Sequence, residues 1–274
     1  MFSTRHSIAL LFNTNKGFDR NVIAGIGDYL QASKVDWDVY LEDNFTGDAN
    51  EIKRWRCDGI IADCNMAGIA VALEQHELPV VGIGGTFQKA SKYPCLPFVA
   101  TDNYKIVELA YQHLKSKGLK NFAFYGFPID ESCLWALERE QALLSLCKED
   151  GYDCSVYRGQ TMQASTWQES MNCLETWLKS LPNPIGIISA NDVRARHLLQ
   201  ACSHTKKAVP ETISIVGVDD DETEQNLSQV SLSSVAHGAN EIGFKAAKLL
   251  HQRIKNPNLK NKLVTVAPLG VEKC

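Results

Sequence analysis

The chain has 274 residues, of which 45% are hydrophobic and 22% are charged, and these values exclude an intrinsically disordered protein. It carries 28 Lys and Arg against 32 Asp and Glu, a formal net charge of −4, so the chain by itself is not expected to bind a nucleic-acid backbone. No secretory signal opens the sequence, and no run reaches the roughly 18 apolar residues that a membrane span requires, so we expect a cytoplasmic protein without a membrane partner.

The first half of the chain alternates short apolar runs with longer amphipathic patterns. This alternation is typical of βαβ units, in which a parallel sheet is covered by helices on both faces. The predicted elements are, in chain order, strand Ile8–Phe12, helix Asp19–Ala32, strand Trp37–Leu41, helix Asn50–Trp55, strand Gly59–Ala62, helix Ile69–Gln75, strand Val80–Ile83, strand Phe98–Thr101 and helix Tyr104–Lys117.

A second series of the same kind follows Gly118, a residue type that commonly stands just after the end of a helix. Its predicted elements are strand Phe122–Tyr125, helix Leu134–Lys148, strand Ser155–Tyr157, helix Trp167–Leu178, strand Ile185–Ser189, helix Val193–Cys202 and strand Ile213–Val218. One more amphipathic helix, Glu241–Ile254, and a last strand, Leu263–Ala267, are predicted after Val235. Two similar series predict an α/β chain with two doubly wound parallel-sheet lobes and a ligand cleft between them.

Polar side chains follow two neighbouring strands at the points where those strands end. Asn191 and Asp192 follow one apolar run, and Asp219 and Asp220 follow the next. Because the carboxyl ends of parallel strands line the ligand crevice, these side chains are placed to hold a small polar ligand such as a sugar. Asp192 is expected to cap the following helix, which leaves the amide of Asn191 for the ligand. Side chains alternate in direction along an extended segment, so one of the two adjacent carboxylates should face the crevice.

The same segment resembles a known family. Asn191-Asp192 opening a helix, then Val216-Gly-Val-Asp-Asp220 and Ser233-Ser-Val235, is similar to the effector-binding core of lac-repressor-type regulators and ribose-binding proteins. The resemblance extends from Ser7 to about Pro268. Four further motifs resemble those of the xylose operon activators within that family. They are Phe12-Asn-Thr-Asn-Lys16, Ala100-Thr-Asp102-Asn-Tyr104, Trp135-Ala-Leu-Glu-Arg139-Glu140 and Arg194-Ala-Arg-His197.

The resemblance implies a type I periplasmic-binding-protein-like fold, with residues 1–118 and 237–257 in the N-terminal lobe and residues 119–236 and 258–274 in the C-terminal lobe. It implies D-xylose, bound between the lobes, as the small molecule that controls DNA binding. It also implies a homodimer that pairs through first-lobe surfaces including Met66–Leu78. The family carries a C-terminal helix-turn-helix module, which we expect to be absent here, so that DNA is contacted only through a segment outside this chain.

The resemblance also assigns roles to residues of the second lobe. Asp219 is expected to accept hydrogen bonds from two sugar hydroxyls, and Arg139 to donate to the ring oxygen and a hydroxyl through its planar fork. Trp167 is expected to stack on the sugar, the alternative being the ordinary packing of a partly buried indole. His237 stands where the family often has an amide that touches the ligand, and its imidazole can donate in the same way.

The first lobe carries further candidates. Phe18 and Asp19 lie in the first strand-to-helix turn, where the family supplies a ring wall and a polar contact. Asp102 matches a strand-end aspartate of the family, although capping of the following helix explains its position equally well. Ribose- and galactose-type binders carry Asp-Arg where this chain has Gly84-Gly85, so Asp63 is the residue expected to compensate.

Other sequence signals do not indicate catalysis. Gly82-Ile-Gly84-Gly85 lacks the third glycine and the helix of a dinucleotide fingerprint, and no metalloprotease or serine-hydrolase motif occurs. We therefore expect no catalytic residue, no cofactor and no metal. Nine cysteines without a Cys-x-x-Cys motif predict reduced thiols in place of disulfides or a zinc site. Arg194, Arg196 and His197 are expected on a solvated helix face.

Two other classes of function stay open. A receptor that feeds a sugar transporter shares this fold and site chemistry, but it requires a signal peptide, and mostly unpaired cysteines suit an oxidising compartment poorly. A doubly wound enzyme such as a dehydrogenase requires the cofactor fingerprint that is missing here.

Overall fold

The computed structural model describes residues 5–42, 56–65, 68–85, 93–129, 133–160 and 162–272. The chain forms two compact α/β units, the first from Met1–Asp102 with Gly238–Val266 and the second from Asn103–His237 with Ala267–Cys274. Within the described ranges, no helix combines the length and the apolar character needed to cross a bilayer.

The strands and helices alternate along the chain as the sequence predicts. The strands are β1 His6–Leu11, β2 Trp37–Glu42, β3 Gly59–Asp63, β4 Val80–Gly84, β5 Phe98–Thr101, β6 Phe122–Tyr125, β7 Cys154–Tyr157, β8 Ile185–Ser189, β9 Ile213–Val218, β10 Ser233–Ala236, β11 Leu263–Val266 and β12 Gly270–Glu272. The helices are α1 Gly17–Ser33, α2 Ile69–Glu74, α3 Asn103–Ser116, α4 Leu134–Asp150, α5 Trp167–Ser180, α6 Asp192–Thr205, α7 Glu222–Asn226 and α8 Ala239–Lys255.

The first unit contains a parallel sheet in the order β11-β5-β4-β3-β1-β2. Its strands are apolar on both faces, since Ile8 and Leu10 pack into one core while Ala9 and Leu11 pack into another. Continuous apolar strands of this kind are expected in a parallel sheet that is covered on both sides. The polar residues of the first unit are thereby directed to the strand ends and the turns.

The second unit contains a sheet in the order β12-β10-β9-β8-β6-β7, parallel except for the antiparallel edge strand β12. Phe122 and Phe124 face a core shared with α3 and α4, and Ala123 and Tyr125 face a second core shared with α5 and α6. The predicted fold class, two doubly wound parallel-sheet lobes, is confirmed in each unit.

The points where the chain passes from one unit to the other differ from the prediction at two places. The first lies after Asp102 and not near residue 118, because Ile106 and Tyr111 of α3 pack against the core of the second unit. The last lies after Val266 and not near residues 257–262, because β11 pairs with β5 of the first sheet. The crossing at His237 agrees with the prediction. The predicted helix Asn50–Trp55 lies outside the described residues.

Within the first unit, α1 and α8 pack at close range through glycines. A Cβ atom on Gly25 would overlap the carbonyl oxygen of Asn240, and one on Gly243 would overlap the carbonyl oxygen of Val22. The same helix pair is joined by a 2.7 Å hydrogen bond between the Tyr29 hydroxyl and His251 Nδ1. Side chains at the two glycine positions would therefore force the helices apart.

We predict that Gly243→Ala lowers the free energy of unfolding by about 1–3 kcal/mol, as expected for overpacking of a filled contact. Gly27→Ala is the matched control, since no atom lies within 4 Å of a Cβ built there, and it should raise stability by roughly 0.5–1 kcal/mol through helix propensity. Urea unfolding measures both. Equal stability of Gly243→Ala and the wild type would contradict this account of the helix contact.

Candidate functional site

The end of β9 brings two of the predicted site residues together. Asp219 follows the strand with a φ of 124°, and Asp220 has a φ of 55°, so both residues adopt backbone conformations that are uncommon outside glycine. Asp219 Oδ1 lies 3.1 Å from Nε2 of His237. The His237 side chain is 2% exposed and that of Asp219 is 21% exposed, so the carboxylate is the part of this pair that is open to a ligand.

Asp220 is engaged by its own surroundings. Its backbone N–H donates to Ser234 Oγ over 3.0 Å, and its Oδ1 accepts from Nε2 of Gln225 over 2.7 Å. These bonds tie the turn after β9 to the neighbouring strand and to α7. Asp220 is therefore the carboxylate of the Asp219–Asp220 pair that supports the local structure.

Asp192 is the buried centre of this turn. Its carboxylate accepts from Ser234 Oγ at 2.7 and 3.0 Å and from the backbone N–H of Asp221 at 2.9 Å. Burial, followed by the nearby Asp219 charge, raises the pKa of Asp192 to about 8. A side chain at Gly217 would overlap Asp192 Oδ1, so only glycine leaves room for the carboxylate.

The helix that follows β8 corrects one prediction. Asn191 is the N-cap residue, because its Oδ1 accepts the backbone N–H of Arg194 over 3.1 Å. The expectation that Asp192 caps this helix is wrong, since α6 begins one residue earlier than predicted and Asp192 lies inside its first turn. The cap uses the amide oxygen of Asn191, so any ligand contact of this residue would fall to its Nδ2 group.

Arg139 is a buried arginine and not a solvated residue of a helix surface. It is 4% exposed, its Nε donates to Asn103 Oδ1 over 2.8 Å, and its Nη1 donates to the Ala190 carbonyl over 2.6 Å. The guanidinium lies 4.7 Å from the Trp135 ring centroid. Burial lowers the pKa of Arg139, against the opposing effect of Asp219 and other carboxylates. The sequence analysis missed Asn103, which has no signal beyond its place at the start of a helix.

Trp167 begins α5 and is 37% exposed. Its ring meets that of His197 edge-on, with centroids 5.2 Å apart. Arg194 and His197 are 2% and 4% exposed, so the expectation that they form a solvated face is wrong for both residues. Arg194 contacts the carbonyls of Gly159 and Gln160, and His197 contacts Trp167, so both are buried by tertiary contacts that have no local sequence signal.

In the first unit, polar groups collect where β1 and β3 end. Asp19 is fully buried, and its Oδ2 accepts the backbone N–H of Asn13 over 2.8 Å while Oδ1 has no hydrogen-bond partner among the residues that the structure describes. Burial, followed by the charge of Asp63, raises the pKa of Asp19 to about 7. Asp63 is 1% exposed and lies 3.3 Å from Lys16 Nζ. The predicted residues Asp19 and Asp63 therefore belong to one cluster, joined by a lysine that the sequence analysis did not select.

The remaining candidates of the first unit are less centrally placed. Phe18 is half-buried and packs against the core that includes Ile8 and Val22. Asp102 is half-buried at the end of β5, where its backbone N–H donates to the Val266 carbonyl over 3.1 Å. A ligand role for these two residues stays a prediction.

Gly84-Gly85, which stands in place of the Asp-Arg pair of ribose binders, faces an asparagine. A Cβ atom on Gly84 would lie 2.9 Å from Asn65 Oδ1, and the φ of Gly84 is 141°. The Gly85 N–H donates to the same oxygen over 3.4 Å. Asn65 in turn donates its backbone N–H to Asp63 Oδ1, so the glycines and Asp63 are linked through one residue that the sequence analysis did not single out.

Comparison with known proteins places the chain in a family. A family model described as XylR N-terminal domain matches residues 7–104, and one described as periplasmic binding protein-like domain matches residues 111–272. The xylose operon regulatory protein of Escherichia coli (strain K12) is 45% identical over 271 residues, which are 99% of this chain and 69% of that protein. The corresponding protein of Haemophilus influenzae is 43% identical over 266 residues, 97% of this chain and 69% of that protein.

Solved structures agree with this assignment. A structure described as the xylose-binding transcription activator xylR superposes with a TM-score of 0.91 at 44% identity, covering 100% of this chain and 70% of that one. The complex of the transcriptional regulator CelR with cellobiose superposes with a TM-score of 0.78 at 18% identity, covering 97% of this chain and 83% of that one, and shows the fold alone.

The fold and these matches define a regulatory domain of the periplasmic-binding-protein-like class. Within that class, the chain belongs to the family of xylose operon regulatory proteins. These relatives are transcription regulators and not enzymes.

The buried acid of the first unit leads to a prediction about stability and pH. Because the pKa of Asp19 is raised from 3.8 to about 7, the folded chain holds more protons than the unfolded chain between these values. Stability should therefore fall as the pH rises through this window, with a slope of at most about 1.4 kcal/mol per pH unit from this group. Asp19→Asn should flatten that dependence.

Urea unfolding between pH 4.5 and 8 measures the effect, and Asp153→Asn, at an exposed position, is the control that should keep the wild-type slope. A constant difference in stability between Asp19→Asn and the wild type over the whole range would mean that Asp19 does not hold a proton in the folded chain.

Proposed function

We propose that this chain is the sugar-sensing effector-binding domain of a transcription regulator and that its ligand is a pentose, D-xylose. The observation that carries the proposal is the contact of Asp219 with His237 in the second unit, with Arg139 near enough to Asp219 for their charges to interact, in a chain that is 45% identical to a xylose operon regulatory protein. The proposal includes a cytoplasmic location and no catalytic activity.

The chemistry of this group suits a polyhydroxyl ligand. Each sugar hydroxyl both donates and accepts, so binding requires carboxylates, forked donors and an aromatic surface. Asp219 supplies an acceptor with exposed surface, and the exposed indole of Trp167 supplies a ring face. His237 and Arg139, which are both buried, are proposed as the donors. In the proposal Asn191 donates through its Nδ2 group.

The strand ends of the first unit are included in the proposal. Lys16 and Asp63 offer a donor and an acceptor, and Asp19 offers a carboxyl oxygen that no described residue of the chain bonds. Phe18 is proposed as a ring wall and Asp102 as a further polar contact. The missing Asp-Arg pair is then replaced by Asp63 together with Asn65.

Sugar binding would act on DNA through a shift in conformational equilibrium. A ligand shifts such an equilibrium only by its difference in affinity for the two states. We propose that DNA is contacted through another segment of the regulator, since this chain has a formal net charge of −4. A transporter receptor is the second candidate on fold alone, and the regulator family of the relatives favours the first.

A panel of pentoses and hexoses tests the ligand. D-xylose at a hundredfold excess over its Kd should stabilise the chain by about 2.7 kcal/mol in thermal unfolding, because only the folded state binds it. L-arabinose, D-ribose and D-glucose should stabilise it less. Stabilisation by a hexose or a nucleoside and not by D-xylose would overturn the proposed ligand.

Titration calorimetry of two adjacent variants tests the site. Asp219→Ala should weaken D-xylose binding roughly 30- to 1000-fold, about 2–4 kcal/mol, because charge-assisted bonds are lost and ligand donors are left unpaired. Asp220→Ala should weaken binding less than about fivefold, since Asp220 contacts Gln225 and Ser234. Both variants need a near-native unfolding transition without sugar. The reverse order of effects would show that the wrong carboxylate has been chosen.

The proposal also includes a homodimer that pairs through the region around α2. Val71 on this helix is 58% exposed, so its apolar side chain is available to a partner. Sedimentation at micromolar concentration should show a dimer, and Val71→Glu should raise its dissociation constant at least about tenfold through desolvation of the new charge. Leu269→Glu, at a position 71% exposed in the second unit, is the control that should leave the dimer intact. A wild-type monomer would refute this part of the proposal.

A further inference from the structure

One side of α6 is buried against the segment that joins β7 to α5. Arg194 and His197 are three residues apart, so they lie on the same side of this helix. Arg194 Nη2 donates to the carbonyl of Gln160 over 3.0 Å and to that of Gly159 over 3.5 Å. Arg194 Nη1 donates to the hydroxyl of Tyr125 over 2.6 Å. One side chain therefore ties α6 to the end of β6 and to the segment after β7.

The guanidinium of Arg194 is buried, and its hydrogen-bond partners among the described residues carry no charge. Arg194 is 2% exposed, and its hydrogen bonds within the described chain go to neutral oxygens. Its Cζ lies 4.8 Å from the centroid of the Tyr125 ring and 4.2 Å from that of Phe127. A buried cation costs free energy unless its donors are satisfied, so the two carbonyls and the aromatic rings are held where they can satisfy them.

The segment is shaped to receive the arginine. A Cβ atom on Gly159 would lie 2.9 Å from Tyr157 Cε1, 3.0 Å from Tyr125 Cε2 and 3.2 Å from Arg194 Nη1. These distances are shorter than ordinary carbon contacts, so a larger residue at position 159 would push the segment away from the guanidinium. Glycine permits the close approach of backbone and arginine.

The same side of α6 also contacts the end of the segment. His197 meets the ring of Trp167 edge-on at 5.2 Å, and it is 4% exposed. Burial, followed by the charges of Arg196 and Arg194, lowers the pKa of His197 to about 4, so the ring that supports Trp167 is neutral at physiological pH. At the start of the helix, the backbone N–H of Arg194 is held by Asn191.

We propose that Arg194 is a positioning residue that holds Gly159 and Gln160 and thereby sets the place of Trp167, farther along the same connection, in the ligand site without touching the ligand. The inference rests on the proposed function, in which Trp167 is the ring wall for the sugar. Arg194 then acts on affinity through Trp167, and removing either residue should remove the same part of the binding energy.

A double-mutant cycle tests the coupling in the full chain, with D-xylose binding measured by calorimetry. Arg194→Met keeps an unbranched apolar stem and removes the donors, and it should weaken binding about tenfold. In a Trp167→Ala background the same change should weaken binding less than about threefold, because the wall is already lost. Arg196→Met is the matched control, since Arg196 lies on the same helix, pairs with Glu224 at 2.6 Å and should leave affinity unchanged. Equal tenfold losses in both backgrounds would overturn the coupling.

Hydrogen exchange without sugar separates this inference from the proposed function. Residues 158–166 should exchange at least about tenfold faster in Arg194→Met than in the wild type, while β8 and β9 keep their protection. Unchanged exchange in this segment would refute the clamp whatever the sugar does. Fast exchange in Arg194→Met, together with a wild-type chain that binds no sugar, would support the clamp and refute the sugar site.

A second variant covers the case in which Arg194→Met fails to fold. Arg194→Lys keeps the charge but loses the planar fork, so it should fold and show intermediate exchange and intermediate affinity. Wild-type exchange and wild-type affinity in Arg194→Lys would show that charge alone is sufficient and would overturn the role of the paired carbonyl contacts.

Discussion

The central strands of each parallel sheet are buried on both faces beneath helices, and this constraint decides where polar chemistry can occur in the molecule. In β1, alternate side chains enter two separate apolar cores, and β6 does the same in the second unit. A ligand-binding polar group in the middle of β1 or β6 would be buried among apolar side chains, at a cost in free energy. The carboxyl ends of the strands are the places that remain, and the polar residues of the candidate site gather there.

At the end of β9, the buried carboxyl group of Asp192 accepts hydrogen bonds that hold the turn in which the more exposed carboxylate of Asp219 lies. Asp192 would be costly to bury alone, but Ser234 and the backbone of Asp221 both donate to it. Gly217 leaves the space that this carboxylate occupies. The turn is thereby held in its uncommon backbone conformation, and Asp219 lies beside His237. In the proposed function, a turn held in this way reduces the conformational entropy lost on binding.

The two units differ in how they stabilise the ionisable side chains at their strand ends. The second unit buries the guanidinium of Arg139 and satisfies it with the neutral oxygens of Asn103 and Ala190. The first unit places Asp19 and Asp63 near each other, where Lys16 offsets the charge of one and burial favours the protonated form of the other. In the proposed function, a molecule rich in hydroxyls bonds to the groups at both strand ends.

Periodicity and turn residues were sufficient to predict the α/β class and the place of most strands and helices, because local apolar patterning follows the period of each element. The strand-end positions of Asn191 and Asp219 could also be predicted, since they follow continuous apolar runs. The sequence could not predict that α3 packs with the second unit, because Ile106 and Tyr111 suit either core by composition.

Burial of the long polar side chains was decided by tertiary structure alone. The sequence around Arg194 and His197 predicts a solvent-exposed helix face. The burial of these two side chains depends on contacts with residues more than 25 positions away along the chain. Asn191 and not Asp192 caps α6 for a similar reason. Ser234 and the backbone N–H of Asp221 donate to the Asp192 carboxyl group, which is therefore engaged in the turn after β9. A sequence specifies which elements form, whereas the partners of a buried charge depend on which distant atoms the packed sheets bring within hydrogen-bond distance.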